Sequence, residues 1–359
     1  MNVYRIIFIF FIVLFIFENK IKKYKKEYKN LKKMTMIILI LLVGFRGEID
    51  RDSSMYVNFF LKCPTIIEMK LSFIQNSRFE YGYILLNSVV KIFTNNYNYI
   101  FLLIAIISFY NLYIFINYFS TSFFYPIALY YSRWMFLREF TQIRNGIGYS
   151  FFLISLIYLD KLKLKKSIFF ILLGGAFHKS IYFCLSFIVF KYFLEKKNRE
   201  YLIEILIFLF FFIDLKKIIN IFFINILGLR ENYVVKGYMI GKYSVSKTNI
   251  AVYYSVIFLL FLILFNKKII NSKQEKKKYK LMKCSYIYSV FISIFFFGYG
   301  DIRGRLASIF NTEFILQEKI YTLFKNKIII KSLLICYLIF IYFIIFSQRL
   351  ENEYLPYFK

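Results

Sequence analysis

Residues able to do chemistry cluster in four short segments. The first is Phe45-Arg46-Gly47-Glu48-Ile49-Asp50-Arg51-Asp52, followed by Tyr56; it holds two Arg and three acids within seven residues. An acid there could take a proton from a hydroxyl, and an Arg could hold a phosphate. Asp50 and Asp52 form an Asp-x-Asp pair, which is a weak metal signal because the pattern is so short. The second segment runs from Arg133 to Gly148 and carries Arg133, Arg138 and Arg144. If it is helical, Arg138, Gln142 and Asn145 share a face, and Gly148 lets another helix approach closely. The third, Gly174-Gly175-Ala176-Phe177-His178-Lys179-Ser180, sets His178 beside Lys179 at a break in an apolar run, a place suited to proton transfer or phosphate binding. The fourth, Gly298 to Arg305, sets Arg303 and Arg305 among three Gly. Each segment also has a plainer reading: a self-compensating charged loop, helix-end arginines that reach lipid phosphates, a core histidine, an ordinary turn.

Composition says what must position these residues. The chain has 359 residues, 60% of them hydrophobic, with a formal net charge of +29. Soluble domains are roughly 45–50% apolar. Ile100–Ile116, Ile250–Phe265 and Ile328–Phe346 are nearly uncharged runs close to the ~17–25 residues a spanning helix needs. The predicted fold is therefore all-α: one polytopic membrane helical bundle of about ten to twelve transmembrane helices. A soluble sandwich, a dinucleotide-binding enzyme and a disordered basic tail are excluded. The apolar runs do not alternate, which argues against a β-barrel. Ile6–Phe17 reads as a retained signal-anchor helix. The aromatic content reads as compositional bias, and the charge does not indicate a nucleic-acid partner. Cys63, Cys184, Cys284 and Cys336 lie far apart without a Cys-x-x-Cys pair, so neither a disulfide framework nor a metal site is expected.

Basic connectors orient the spans. Lys20–Lys33, Lys161–Lys166, Lys191–Arg199 and the loop 267–283 are Lys-rich, and all fall on the cytoplasmic side when the N-terminus is outside. An even number of crossings between the first two leaves Tyr81–Phe93 over, so a short re-entrant or interfacial helix is expected near 81–93. Ser167–Leu194 is too long for one span and short for two; a tight hairpin with His178 near its outer end fits, with a kinked single helix as the alternative. The largest extracytoplasmic loop is 228–249. On this topology Lys follows the positive-inside rule, whereas of twelve Arg only Arg199 falls inside. Arg binds phosphate through a planar fork and stays charged when partly buried. An anionic, pyrophosphate-bearing ligand on the outer side is the expectation.

On these residues the chain resembles the EpsG family of Wzy-like polysaccharide polymerases. Arg46, Asp52 and Tyr56 look like its R…GxDxxxY segment, and Phe79-Glu80-Tyr81-Gly82-Tyr83 through Asn87 like its E-x-G-[FY] segment. Arg144-Asn145-Gly146-Ile147-Gly148 is similar to its R-[QN]-x-[IL]-A core, and Phe177-His178-Lys179-Ser180 to its F-H-x-S. Asp50 and Gly148 depart from the family's usual Gly and Ala. The resemblance implies a polymerase joining polyprenyl-pyrophosphate-linked oligosaccharide repeats at the outer face of the cytoplasmic membrane. It implies capsule, exopolysaccharide or O-antigen type products, with undecaprenyl pyrophosphate as the lipid carrier. Asp52, Glu80 and His178 become candidate acid–base residues. Arg46, Arg133, Arg138, Arg144, Lys179, Arg303 and Arg305 become candidate pyrophosphate ligands. No cofactor and no metal is expected, since Arg can do a metal's electrostatic work. Membrane lipids, a chain-length regulator and a flippase are the implied partners. Two rivals remain: a flippase or transporter of the same lipid-linked sugar, and a membrane acyltransferase using His178 as its base.

Overall fold

The structure is a computed structural model that describes residues 3–50, 52–196, 199–213, 250–265, 273–297, 299–323 and 327–343. It is all-helical, as the apolar runs require. The chain divides into two compact units, Met1–Tyr182 with Gln317–Lys359, and Phe183–Leu316.

The first unit opens with α1 (Val3–Ile21) and α2 (Lys25–Gly44), and continues through α3 (Ser53–Lys62), the short α4 (Leu71–Asn76) and α5 (Tyr81–Phe93). Then come α6 (Asn98–Phe119), α7 (Phe124–Tyr130), a π-helix (Tyr131–Thr141), α8 (Ile143–Asp160) and α9 (Leu164–Gly175). On α1, Tyr4, Phe8, Phe11 and Phe15 are buried, while Ile6, Ile9, Val13 and Ile16 are exposed. A helix apolar on both its inner and its outer stripe matches a helix set between protein and lipid. α6 is similarly apolar all round and packs between α2 and α8. Its Asn111 Nδ2 donates to Ser150 Oγ of α8 at 3.0 Å, a polar tie inside an apolar contact. At the Lys-rich end of α1, the buried Glu18 accepts from the Tyr28 hydroxyl at 2.7 Å and the Phe123 backbone N–H at 2.7 Å, which fastens the α1–α2 turn to the start of α7.

The helix containing Arg133 and Arg138 departs from the sequence expectation. Tyr131–Thr141 winds as a π-helix that continues α7 directly, and Arg138, Glu139 and Phe140 are buried. Gln142, with φ −109° and ψ 52°, then breaks the chain before α8. The face proposed for Arg138, Gln142 and Asn145 is therefore interrupted: a wide turn before Gln142 and a non-helical residue at it shift everything downstream out of the 3.6-residue register.

A glycine pair sets the α8–α9 contact. A Cβ on Gly148 would lie 2.9 Å from the Gly174 carbonyl oxygen, and one on Gly174 would lie 2.7 Å from that of Gly148. The two backbones touch only because both side chains are missing. After Gly175 the helix stops. A 3₁₀ turn (Lys179–Phe183) follows and α10 (Cys184–Leu194) begins, so the run Ser167–Leu194 is two helices rather than one kinked helix.

In the second unit, α13 (Lys273–Phe295) packs with α10, α11 (Arg199–Phe212), α12 (Ile250–Phe265) and α14 (Gly300–Phe310). The basic segment 267–283, expected as a loop, is helical from Lys273 onward. Residues 304–324 do not form one continuous helix: α14 ends at Phe310, and α15 (Glu313–Leu323) starts after Asn311 and Thr312. The last described helix, α16 (Lys327–Ile341), belongs to the first unit and packs on its π-helix.

Among the described residues, one helix, Asn98–Phe119, is by itself long and apolar enough to cross a membrane; Tyr81–Phe93, Val252–Leu264 and Ile328–Ile341 are shorter apolar helices. The helix expected near 81–93 forms as Tyr81–Phe93. The expected outer loop 228–249 lies outside the described residues.

Candidate functional site

Three of the four chemical segments, together with the Glu80 segment, meet in the first unit and are joined by hydrogen bonds. α2 delivers Arg46 just past its C-terminal end. Its Nε donates to Asp50 Oδ2 at 3.2 Å, its Nη1 to the Val43 carbonyl at 3.1 Å and its Nη2 to the Phe140 carbonyl at 3.1 Å. The guanidinium lies 4.1 Å from the Phe101 ring centroid. The side chains of both Arg46 and Asp50 are 0% exposed. Burial outweighs the attraction of Arg46 and holds the Asp50 carboxyl above the ordinary carboxylate range. The Asp-x-Asp pair is split by this geometry: Asp50 turns inward to Arg46, while Asp52 is half-buried at the start of α3 and donates its backbone N–H to Asp50 Oδ1 at 3.0 Å. Arg51 lies outside the described residues.

From α3, the Tyr56 hydroxyl donates to the Thr141 carbonyl at 3.2 Å, which ties the first segment to the end of the π-helix. Burial raises the Tyr56 phenol above its ordinary value, against the pull of Arg144. Glu80 immediately precedes α5. One of its carboxylate oxygens forms an ion pair with Arg144 of α8, and the other accepts the Lys179 backbone N–H at 3.3 Å. The first turn of α5 rests on the end of α9, where Gly82 N–H donates to the Ala176 carbonyl at 2.8 Å. A Cβ on Gly82 would lie 2.8 Å from that oxygen, so the dock requires glycine. The Arg144 guanidinium sits 4.7 Å from the Phe79 ring centroid, and its side chain keeps 19% exposure.

His178 and Lys179 lie on the turn after α9. His178 is half-buried and Lys179 is exposed, so the Lys179 contribution to Glu80 is its backbone. His178 Nδ1 accepts the Ser180 backbone N–H at 3.3 Å and lies 2.6 Å from Ser180 Oγ. Acceptance at Nδ1 puts the ring proton on Nε2, leaving an N–H donor on the side of the imidazole away from Ser180.

Arg138 is placed differently. It is 1% exposed, and its guanidinium lies 3.4 Å from the Tyr149 ring centroid and 4.8 Å from Trp134. Arg133, half-buried, sits 4.9 Å from Trp134. Next to Arg138 is Glu139, 2% exposed, whose Oε1 accepts the Tyr130 hydroxyl at 2.7 Å. Nothing in residue spacing singles out Tyr149 or Tyr130; the one visible signal was an acid between two Arg in an apolar stretch.

Arg303 and Arg305 belong to the second unit, on α14. Arg305 is exposed. Arg303 is 9% exposed, its Nη1 is buried without a hydrogen-bond partner among the described residues, and burial pushes its guanidinium below the ordinary value.

Helices that are apolar on their outward stripes, with charged residues gathered at helix ends, define an all-α membrane protein with an ionic site. A family model, the EpsG family, matches residues 31–358, and the chain belongs to that family. It is thus a membrane protein of a Wzy-like, polymerase-related group concerned with polysaccharide biosynthesis. No curated protein matched the chain, and no solved structure did.

Proposed function

We propose that the protein is a metal-independent membrane glycosyltransferase that polymerises polyprenyl-pyrophosphate-linked oligosaccharide repeats at the outer face of the cytoplasmic membrane. The observation that carries this reading is the Arg144–Glu80 ion pair: a partly exposed arginine at a helix start, on which four separate chain segments converge. In this reading the helices make about ten to twelve crossings, the Lys-rich turns lie inside, and Tyr81–Phe93 is re-entrant or interfacial on the outer side.

The reaction is a substitution at an anomeric carbon. A hydroxyl of one lipid-linked repeat attacks the anomeric carbon of another chain, the bond to the lipid pyrophosphate breaks, and the pyrophosphate leaves with the electron pair. Charge grows on the leaving oxygen, and a fixed guanidinium beside it stabilises the transition state more than the ground state. Arg144 takes this role because it is charged, held in place by Glu80 and still open on one side. His178 Nε2–H adds a neutral donor. The hydroxyl proton goes to a carboxylate. Glu80, which faces Arg144 and the Lys179 N–H, and Asp52, half-buried at the start of α3, are the candidates.

Incubating purified protein with a lipid-pyrophosphate oligosaccharide should yield a ladder of products, and Arg144→Ala should yield none at unchanged protein level. A full ladder from that variant would defeat the assignment. Reporter fusions should place Glu80 and His178 outside; an inside signal at either would remove the topology.

A further inference from the structure

Beside the ionic site lies an open groove of about 1010 Å³ in the first unit, walled by α3 and the stretch from Pro64 to Phe79. That is at the upper end of the roughly 300–1,000 Å³ of small-ligand clefts, and it gives room for several sugar rings. Its floor is aromatic. The ring centroids of Phe59 and Phe79 are 4.2 Å apart, and those of Phe59 and Phe73 are 6.1 Å apart, so three mutually tilted rings form one aromatic cluster. Phe79 is shared with the ionic site, since Arg144 rests on the same ring. Phe79 thus links the groove wall to the pair Arg144–Glu80.

The rim is cationic on balance, with Lys62, Lys70 and Arg78 against one carboxylate, Glu68. Lys62, Lys70 and Arg78 line the groove and are exposed, and none makes an ion pair among the described residues. Arg78 lies 5.6 Å from the Phe79 ring centroid, within reach of the aromatic floor. The carboxylate on this wall, Glu68, is turned to its own loop, where it accepts from Thr65 Oγ1 at 2.8 Å and from the Thr65 N–H at 3.3 Å. Ser54, Asn58 and Asn76 supply neutral hydroxyl and amide groups between floor and rim. Aromatic faces receive the apolar face of a pyranose ring, amides and hydroxyls match its hydroxyl groups, and uncompensated cations call for a negative charge on the same ligand.

We infer that this groove is a saccharide subsite for an acidic glycan, one whose sugars carry carboxylates, and that it feeds the chain to Arg144. The inference rests on the polymerase reading for what the glycan does there, but not for whether it binds. An uncharged glycan would use the floor and leave the rim cations unmatched. A free phosphate would use the rim and ignore the floor.

The test is calorimetric titration of the full-length protein in nanodiscs with tetragalacturonate, maltotetraose and inorganic pyrophosphate. Tetragalacturonate should bind, more weakly as salt rises, and maltotetraose should bind at least tenfold more weakly. Each of Lys62→Gln, Lys70→Gln and Arg78→Gln should weaken tetragalacturonate by roughly tenfold, and Phe73→Ala should weaken it without altering the salt dependence. All four side chains are exposed or half-buried, so the variants should fold. Equal binding of the two tetrasaccharides, no binding of tetragalacturonate, or displacement of it by pyrophosphate in simple competition would each overturn the inference. Arg144→Ala should bind tetragalacturonate normally while making no polymer. If the wild type makes no polymer yet binds with this pattern, the polymerase reading falls and the subsite stands. A product ladder without rim-sensitive binding means the reverse.

Discussion

Arg46 and Arg144 are both arginines in family-like segments, both are paired to a carboxylate, and both are in the first unit. Their surroundings differ. Arg46 has 0% side-chain exposure, and its fork is committed to Asp50, the Val43 carbonyl and the Phe140 carbonyl. Arg144 keeps 19% exposure beside Glu80. The first holds the end of α2 against the end of the π-helix and has no exposed surface for a ligand to reach. The second is anchored on one side and open on the other. A charged residue in a short motif is thus separated into framework or chemistry by where its donors point and by how much water reaches it.

The largest effect should come from the open arginine. Arg144→Ala should lower polymer formation by about 10²–10³-fold or more, the cost of removing one transition-state donor, with protein abundance unchanged. Arg144→Lys should recover little, because a point charge does not replace the fork. If Arg144→Ala instead removes the protein from the membrane, the contrast with Arg46 collapses.

Arg46→Ala should act through stability. Leaving Asp50 buried and unpaired costs about 3–5 kcal/mol, read as a lower unfolding midpoint in detergent and lower membrane abundance. Polymer made per folded molecule should be largely kept. A stable, abundant and inactive Arg46→Ala would move Arg46 to the chemical side.

Gly148→Val tests the framework between the two. Its Cβ would press on the Gly174 carbonyl at 2.9 Å and on Ile181 at 2.8 Å, an overpacking worth about 1–3 kcal/mol. Melting should shift down, and activity should fall with it because α8 carries Arg144. Unchanged melting would show that α8 and α9 are further apart.

The smallest effect concerns pH. Asp50 has a raised folded-state pKa, so the folded state holds its proton more tightly than the unfolded chain does. That contribution is full below the ordinary carboxylate range and is lost as pH rises through the raised value. Asp50→Asn should therefore flatten the fall in unfolding midpoint across that window. A profile identical to the wild type would mean that Asp50 titrates normally.

The all-helical fold was legible because apolar runs without alternation leave few other solutions, and the helix at Tyr81–Phe93 was visible in its composition. Arg144 and His178 could be singled out as ionisable groups at the ends of apolar runs, and Glu80 only through the resemblance of its segment to the family's E-x-G-[FY]. The sequence does not reveal that Tyr131–Thr141 would wind as a π-helix, because the extra residue per turn leaves no mark on an apolar pattern. The break at Asn311 and Thr312, by contrast, falls on a polar Asn-Thr-Glu step that the sequence does carry.

By itself the sequence determined the membrane class, the family and which residues can carry charge, because these follow from side-chain type and order along the chain. Only the tertiary structure decided that Glu80 faces Arg144, that Arg46 is tied to the Phe140 carbonyl, and that the rings of Phe59 and Phe79 pack together. Those pairings join residues 64, 94 and 20 positions apart. Which of them form depends on helix breaks and glycine contacts that set the approach of one helix to the next, and such geometry is a property of packed neighbours and not of any one stretch of chain.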